Sequence, residues 1–474
     1  MRAAAPRRPA PTARPACPEV YPAQGSCLDM INGLMASTAN YCGLHPQPGH
    51  PSLHTDHENA LTMNHDLKDR IRRRAGRILR EWVPFRTSYR PTGVHESSKE
   101  WAAIPGSPVT YHEVEPAHIS YLPVSDDYKQ VASVYEGSRH QKPGEEAVPP
   151  AFVIELPQGR LYADNWDSVA VIANDGQLVG DVSFQHNRKG WSMTPAAENN
   201  IFRQRFFRPP LRLAGTACSL LGGGGAAMGN YYHWLVDSLP RLHLARAAGL
   251  LPSTDYYLIY NKNHRFAVEM LTTLGIRPEQ IIDVETHPHV QADRLLVTSP
   301  VRGTGNHMPD WAGAFLRDVF LPAPPVPRTF SPYVYISRRD AQMRQVLNEP
   351  AVEEVLREFG FVTYTLSDLS FAEKRALFSQ ARLIVSPIGA GLANLVFAPP
   401  GTPVLELMPN DFVMPEHMDI AARVGLAYHW MICDNPEKPG GIFEARQIDL
   451  LVDPAQLRAR VAELLVPRAA LAHA

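Results

Sequence analysis

Apolar and polar positions change their rhythm three times along the chain. From residue 105 to 215 the apolar residues come in short β-type runs. "AFVIELPQGRLYADN" and "SVAVIANDGQLVGDVSF" are both interrupted by Gly or Asn-Asp-Gly turn chemistry, as strands joined by tight connections are. From Asn230 the pattern alternates. "NYYHWLVDSLPRLHLARAAGLL" reads as helix, "DYYLIY" as strand, "HRFAVEMLTTLGI" as a helix closed by Gly275, then "QIIDV" and "RLLVTSP" as strands. Such alternation predicts an α/β layer with a largely parallel sheet. The proline run "LPAPPVPRTFSP", 321–332, cannot be helix or central strand and reads as a semi-rigid interdomain linker.

Past the linker the signals are cleaner. "YVYIS" is a strand, and Asn348 can cap a helix running to Phe359 that stops at Gly360. "FVTYT" is a strand, and Ser370 to Glu373 has capping-box spacing for a helix to about Ala381. "RLIVSP", the short helix "GLANLVFA" and "PVLELM" follow. Strands alternating with helices at this spacing match a Rossmann-like half.

Composition sets the outer bounds. The chain has 474 residues, 45% hydrophobic and 20% charged, which suits two or three globular domains. A formal net charge of -2 gives no electrostatic reason to expect nucleic-acid binding. Its 44 prolines are about twice the usual share and punctuate loops. Cys17, Cys27, Cys42, Cys218 and Cys433 are odd in number and form no CxxC pair, so free thiols in a reducing compartment are expected and a zinc site is not. Residues 1–62 lack helical or strand period and read as a disordered leader; their Arg-rich start is followed by no apolar segment, so it is no secretory signal. The stretch 66–82 reads as a helix with six arginines: a solvated surface helix, or a contact for an anionic membrane surface. No transmembrane span is expected, since the longest uncharged run, 213–236, is broken by glycines.

Three places carry candidate chemistry. Gly389 and Gly391 lie in a strand-to-helix loop, "SPIGAGLANLVFA", where backbone can approach a phosphate; glycine also closes ordinary turns, and on the glycines alone both readings stand. Arg338, Arg339 and Arg344 follow the end of the first strand of this half, where open α/β sheets bind ligands, and guanidiniums there can neutralise a diphosphate. Glu406, inside "PVLELM", needs partners if buried: a ribose diol or a structural arginine. In the helix after the block Gly222–Gly225, His233 and Asp237 stand four apart and can touch. That pair is a general base, a structural pair or part of a metal site, although no further metal ligand is spaced to match. Leu235, Leu239 and Leu242 take the core side, and Pro240 kinks the helix or begins a second one. The glycine block before it reads as a mobile or closely approached loop, or as a plain flexible connection.

"NYYHWLVDSLPRL", then "YISRRDAQMRQVLNE", then "LIVSPIGAGLANLVFAPPGTPVLEL" together resemble glycosyltransferase family 61, over roughly residues 150–430. The resemblance implies a GT-B architecture: two Rossmann-like domains facing across a cleft, an acceptor-side domain at 63–322 and a nucleotide-sugar domain at 333–450, followed by a helical tail at 451–474. It implies an inverting transfer from a nucleotide-diphosphate sugar, UDP-sugar foremost, to a glycan acceptor in cell-surface polysaccharide synthesis such as capsule. No cofactor or essential metal is expected. The donor side would be Arg338, Arg344, Asn348, Gly389, Ala390, Gly391, Asn394 and Glu406, and the catalytic side His233 and Asp237. A cytoplasmic protein, peripheral at the inner membrane, fits this role. One position departs: the family often has His before Gly-Ala-Gly, and this chain has Ile388, so what that His supplies must come from elsewhere. The rival reading is a non-catalytic nucleotide-sugar or glycan-binding protein of the same fold.

Overall fold

The computed structural model describes residues 86–131, 144–165, 168–186, 193–222, 226–303, 307–436, 439 and 442–466. All of them fall within one compact unit, Pro84–Ala474. The leader, the basic stretch 66–82 and Gly223 to Gly225 lie outside the described residues.

The protein is mixed α/β. The first sheet has eleven strands. Its parallel part is ordered His289–Thr298, Leu211–Ser219, Tyr256–Ile259, Ile281–Asp283. On the other side of His289–Thr298 the sheet turns antiparallel: Ala151–Pro157 pairs with its second half and Arg160–Asn165 with its first. The turn between those two strands holds Gln158 at φ +52°. Only part of this sheet is therefore parallel, because the run 151–185 returns through short hairpins, and short hairpins join antiparallel strands.

The second sheet is parallel throughout, in the order Val362–Thr365, Tyr333–Ser337, Leu383–Pro387, Pro403–Pro409, Ala427–Cys433. Numbered along the chain this is 2-1-3-4-5, a doubly wound order whose switch point lies between Tyr333–Ser337 and Leu383–Pro387. The helix Glu349–Glu358 ends ahead of Gly360 at φ +80°, a backbone state that favours glycine. The helix Phe371–Gln380 starts on a complete capping box, with Ser370 and Glu373 satisfying each other's backbone N–H.

The segment after Asn230 does not run as one α-helix. A turn at Tyr231–His233 leads into a π-helical turn, Trp234–Ser238, and a separate helix, Arg241–Ala247, begins after Pro240. Pro240 has no N–H for the carbonyl four residues back, and Leu239 N–H reaches instead to Trp234 O at 2.9 Å. Leu235, Leu239 and Leu242 are 0–2% exposed. Each such side chain contributes about 1.5–3 kcal/mol by leaving water.

They belong to a hydrophobic cluster that also takes in Phe320, Phe330, Ile336, Phe371, Ile384 and Phe397, so residues before and after the proline run share one core. The run itself is pinned: Arg375 donates to Phe320 O and Pro324 O, both at 2.6 Å. Arg317 donates to Val396 O (2.7 Å) and Ala398 O (2.8 Å). Cys218 and Cys433 are free and buried. Among the described residues no helix is long and apolar enough to cross a membrane.

Candidate active site

The turn around Pro240 positions two groups. His233 Nδ1 lies 2.6 Å from Asp237 Oδ2, so the pairing expected from their spacing forms. Asp237 has a second partner that the local sequence does not reveal. Arg302 grips it from the segment after His289–Thr298, with Nε donating to Oδ1 at 2.7 Å and Nη2 to Oδ2 at 2.9 Å. Burial works to raise the affinity of Asp237 for a proton, but Arg302 and then His233 overcome it and hold the carboxyl below the usual carboxylate range. Burial likewise opposes the charge on Arg302, and Asp237 more than restores it. The His233 side chain remains 31% exposed while those of Asp237 and Arg302 are 14% and 13% exposed. The imidazole is thus the member of the trio open to a ligand. Arg241 does not join the carboxylate: it donates to the backbone O of Asp237 at 3.0 Å and to Thr298.

The second group of candidates sits at the switch point of the parallel sheet. A cleft there is lined by Ser337, Arg338, Asp340, Leu366, Ser386 and Gly389, with Gly391 and Leu392 beside them. The three arginines behave differently. Arg339 is paired with Glu353 and, at 3.3 Å, Glu349. Arg338 and Arg344 have no ion pair among the described residues, although both are largely withdrawn from solvent. Arg338 donates to Met343 O at 3.0 Å, and the Nε atoms of both arginines are buried without a hydrogen-bond partner among the described residues. Burial lowers the Arg338 pKa, and burial together with the neighbouring Arg338 pushes Arg344 down to about 10. Arg344 also has φ +56°, a left-handed conformation that costs a non-glycine residue about 1–3 kcal/mol and tends to mark functional sites. Its guanidinium lies over the Phe412 ring, 5.4 Å from the centroid. Two desolvated like charges with unfilled donors make a strong site for an anion.

Gly389 is required by the arginine rather than by its own backbone. Its φ of 176° is open to any residue, but a Cβ there would overlap Arg338 Nη1 and come within 2.7 Å of Cζ. A Cβ on Gly391 would meet Leu366 Cδ1 at 2.5 Å. Ala390 opens the short helix Ala390–Phe397, which is 3-10 rather than α.

The remaining predicted donor residues are engaged within the chain. Asn348 occupies the N-cap position but its side chain makes no cap bond; it pairs with the backbone of Val452, donating to O at 2.7 Å and accepting from N at 3.1 Å. Asn394, 0% exposed, accepts from the Tyr231 hydroxyl at 2.7 Å and donates to Gly391 O at 2.8 Å. Glu406, also 0% exposed, makes no ion pair with an arginine among the described residues. One oxygen lies 2.6 Å from His417 Nδ1 and the other accepts from the Tyr428 hydroxyl at 2.5 Å. Ile388 is buried in an apolar cluster with Tyr128, Met408 and Met418. Gly222 packs on the turn carrying Asp237, where a Cβ would come within 3.0 Å of Asp237 Cβ.

The candidate groups are connected. Tyr231 reaches Asn394 in the glycine loop, and the Tyr232 ring meets the His417 ring edge-on at 5.9 Å. No three His, Cys, Asp or Glu side chains are grouped as a metal site among the described residues.

Residues 231–405 match the family model Glycosyltransferase 61. Over that segment the chain is similar to glycosyltransferase family 61. The match begins at the turn carrying His233, ends within the strand carrying Glu406, and contains Arg302, Arg338, Arg344 and the glycine loop. It supports glycosyltransferase activity in general, and with it a sugar donor and an acceptor as substrates. No curated protein matches the chain closely enough to add a relative.

Proposed function

We propose that this family 61 glycosyltransferase is an inverting, metal-independent enzyme. Its donor would be a nucleoside-diphosphate sugar, UDP-sugar foremost, and its acceptor a glycan hydroxyl in cell-surface polysaccharide assembly. The observation that carries the reading is the buried Arg338–Arg344 pair, which makes no ion pair among the described residues, beside Gly389 at the switch point of the parallel sheet. A diphosphate supplies the missing negative charge and acceptor atoms, and the guanidiniums do the work that a divalent cation would otherwise do. The two α/β halves would act as the two sides of a GT-B cleft. This role belongs in the cytoplasm, where nucleotide sugars are available, with peripheral contact at the inner membrane.

In this reading the base is His233 rather than Asp237. Both Asp237 oxygens already accept hydrogen bonds and its proton affinity is lowered, whereas His233 Nε2 is free of that clamp. His233 Nε2 takes the proton of the acceptor hydroxyl as its oxygen bonds to the anomeric carbon. The bond from that carbon to the diphosphate oxygen breaks on the opposite face, and Arg338 and Arg344 hold the charge that develops.

The test joins binding to turnover. UDP calorimetry on wild type, Arg338→Ala and Arg344→Ala is expected to show each variant weakened. A panel of donors assayed for released nucleoside diphosphate should show turnover that EDTA leaves unchanged. Absence of UDP binding, or full affinity in both variants, would sink the donor site. Strict dependence on Mn²⁺ or Mg²⁺ would overturn the metal-free mechanism. Binding without transfer on any donor would favour the non-catalytic alternative.

A further inference from the structure

We infer that Arg302 is a positioning residue for the transfer reaction, clamping Asp237 so that His233 keeps its proton on Nδ1 and presents a bare Nε2 to the acceptor. The inference rests on His233 being the base. Three observations carry it.

The clamp is two-pronged. Arg302 Nε and Nη2 hold one Asp237 oxygen each, and the planar fork fixes the plane of the carboxylate as a single hydrogen bond would not. A carboxylate held in that plane meets His233 Nδ1 with a lone pair at 2.6 Å, so Nδ1 must be the donor and the imidazole is confined to one tautomer. Without the clamp Asp237 can rotate, or take the acceptor proton itself.

The charges are balanced. An unpaired carboxylate beside a base stabilises the imidazolium and makes it reluctant to pass its proton on. Asp237 is not such a lone carboxylate: it is ion-paired with Arg302 at 2.7 Å as well as with His233 at 2.6 Å, so the group that orients the imidazole carries its own counter-charge.

The clamp also joins different parts of the fold. His233 and Asp237 lie on the turn before Pro240, whereas Arg302 follows the strand His289–Thr298, with its guanidinium carbon 5.9 Å from the centre of the Tyr232 ring. The ion pair therefore sets where the turn stands against the sheet as well as how the carboxylate points.

The experiment uses the full chain labelled with 15N-histidine, with His233→Gln to assign the signal. Long-range 1H–15N spectra of the wild type should show His233 as the Nδ1–H tautomer; an Nε2–H tautomer overturns the inference, whether or not the enzyme turns over. Arg302→Met should lose the single tautomer and lower kcat about 10- to 100-fold, as loss of an orienting outer partner does elsewhere, with KM and UDP affinity within twofold. Arg302→Lys, a charge without the fork, should recover only part of kcat. Added guanidinium should raise the turnover of Arg302→Ala, a rescue that a role confined to folding would not give. A folded Arg302→Met with wild-type kcat, or an Arg302→Ala that guanidinium does not rescue, overturns the inference. If the wild type shows the expected tautomer yet transfers no sugar from any donor, the clamp stands and the function proposed above falls.

Discussion

Gly389→Ala tests the proposed donor site through one methyl group. Its φ of 176° lets alanine adopt the same backbone, so any effect is steric. The new Cβ would occupy the place of Arg338 Nη1 and crowd Cζ at 2.7 Å. To make room Arg338 must give up the bond from Nη2 to Met343 O or shift its buried Nε. Either the guanidinium leaves or the loop lifts, and both separate Arg338 from the Gly389 backbone. A charge-assisted hydrogen bond is worth about 1.5–3 kcal/mol, so UDP affinity should fall about 10- to 150-fold. Calorimetry with UDP measures this, with thermal unfolding to show that the variant is folded. The decisive control repeats the change in Arg338→Ala, where the clash is gone and the added cost should be under about 0.5 kcal/mol. A folded Gly389→Ala with wild-type UDP affinity would refute the reasoning, as would two changes that simply add.

His289 is buried against Tyr89, Tyr162 and Phe207, and burial pushes its pKa down to about 4. The unfolded imidazole gains a proton near 6.5 and the folded one does not, so stability is complete above that pH and about 3 kcal/mol is lost as pH falls towards 4. Urea unfolding across that window should be shallower in His289→Gln than in wild type, and parallel curves would remove His289 as the cause. Asn348→Ala breaks two bonds to Val452 and should cost about 1–3 kcal/mol of stability while UDP affinity changes less than twofold; a larger loss of affinity would return Asn348 to the donor site. Tyr231→Phe leaves the buried Asn394 oxygen without its donor, and a drop of about 1–3 kcal/mol in unfolding free energy is expected; an unchanged melting temperature would show that water replaces the hydroxyl.

What could be read from the sequence was local. The capping box at Ser370, the helix stop at Gly360 and the strands of the second sheet each depend on residues within about one turn or one pleat. The His233–Asp237 pair was legible for the same reason, since neighbours four apart still meet across the π-helical turn. The partners at long range were not. Arg302 stands 65 residues from Asp237 and was not among the candidates read from the sequence; its place after a strand is a weak signal that many arginines share. Position after the strand did not separate the three arginines and the family resemblance named only Arg338 and Arg344; contacts with Glu349 and Glu353 set Arg339 apart from these two, which make no ion pair among the described residues. The partly antiparallel first sheet escaped notice because strand direction depends on connection path, which apolar periodicity does not encode.

Glu406 shows how tertiary context changes the meaning of a suggestive residue. A carboxylate inside an apolar strand must be satisfied, and leaving it unpaired would cost several kcal/mol. Ribose hydroxyls could satisfy it only if the strand end were open. Instead His417 from the following helix and Tyr428 from the neighbouring strand fill both oxygens. The same His417 ring meets Tyr232, one residue from His233. Glu406 thus acts from behind, fixing a histidine that in turn braces the turn bearing His233. Tyr231 to Asn394 and Arg317 to Val396 and Ala398 make further ties between the segments before and after the proline run. These bonds are buried or half-buried, and a hinge that opened the two sheets as rigid halves would have to break them together. Motion that admits substrates is therefore expected in segments outside these ties, while the spacing between His233 and the arginine pair stays fixed through the reaction.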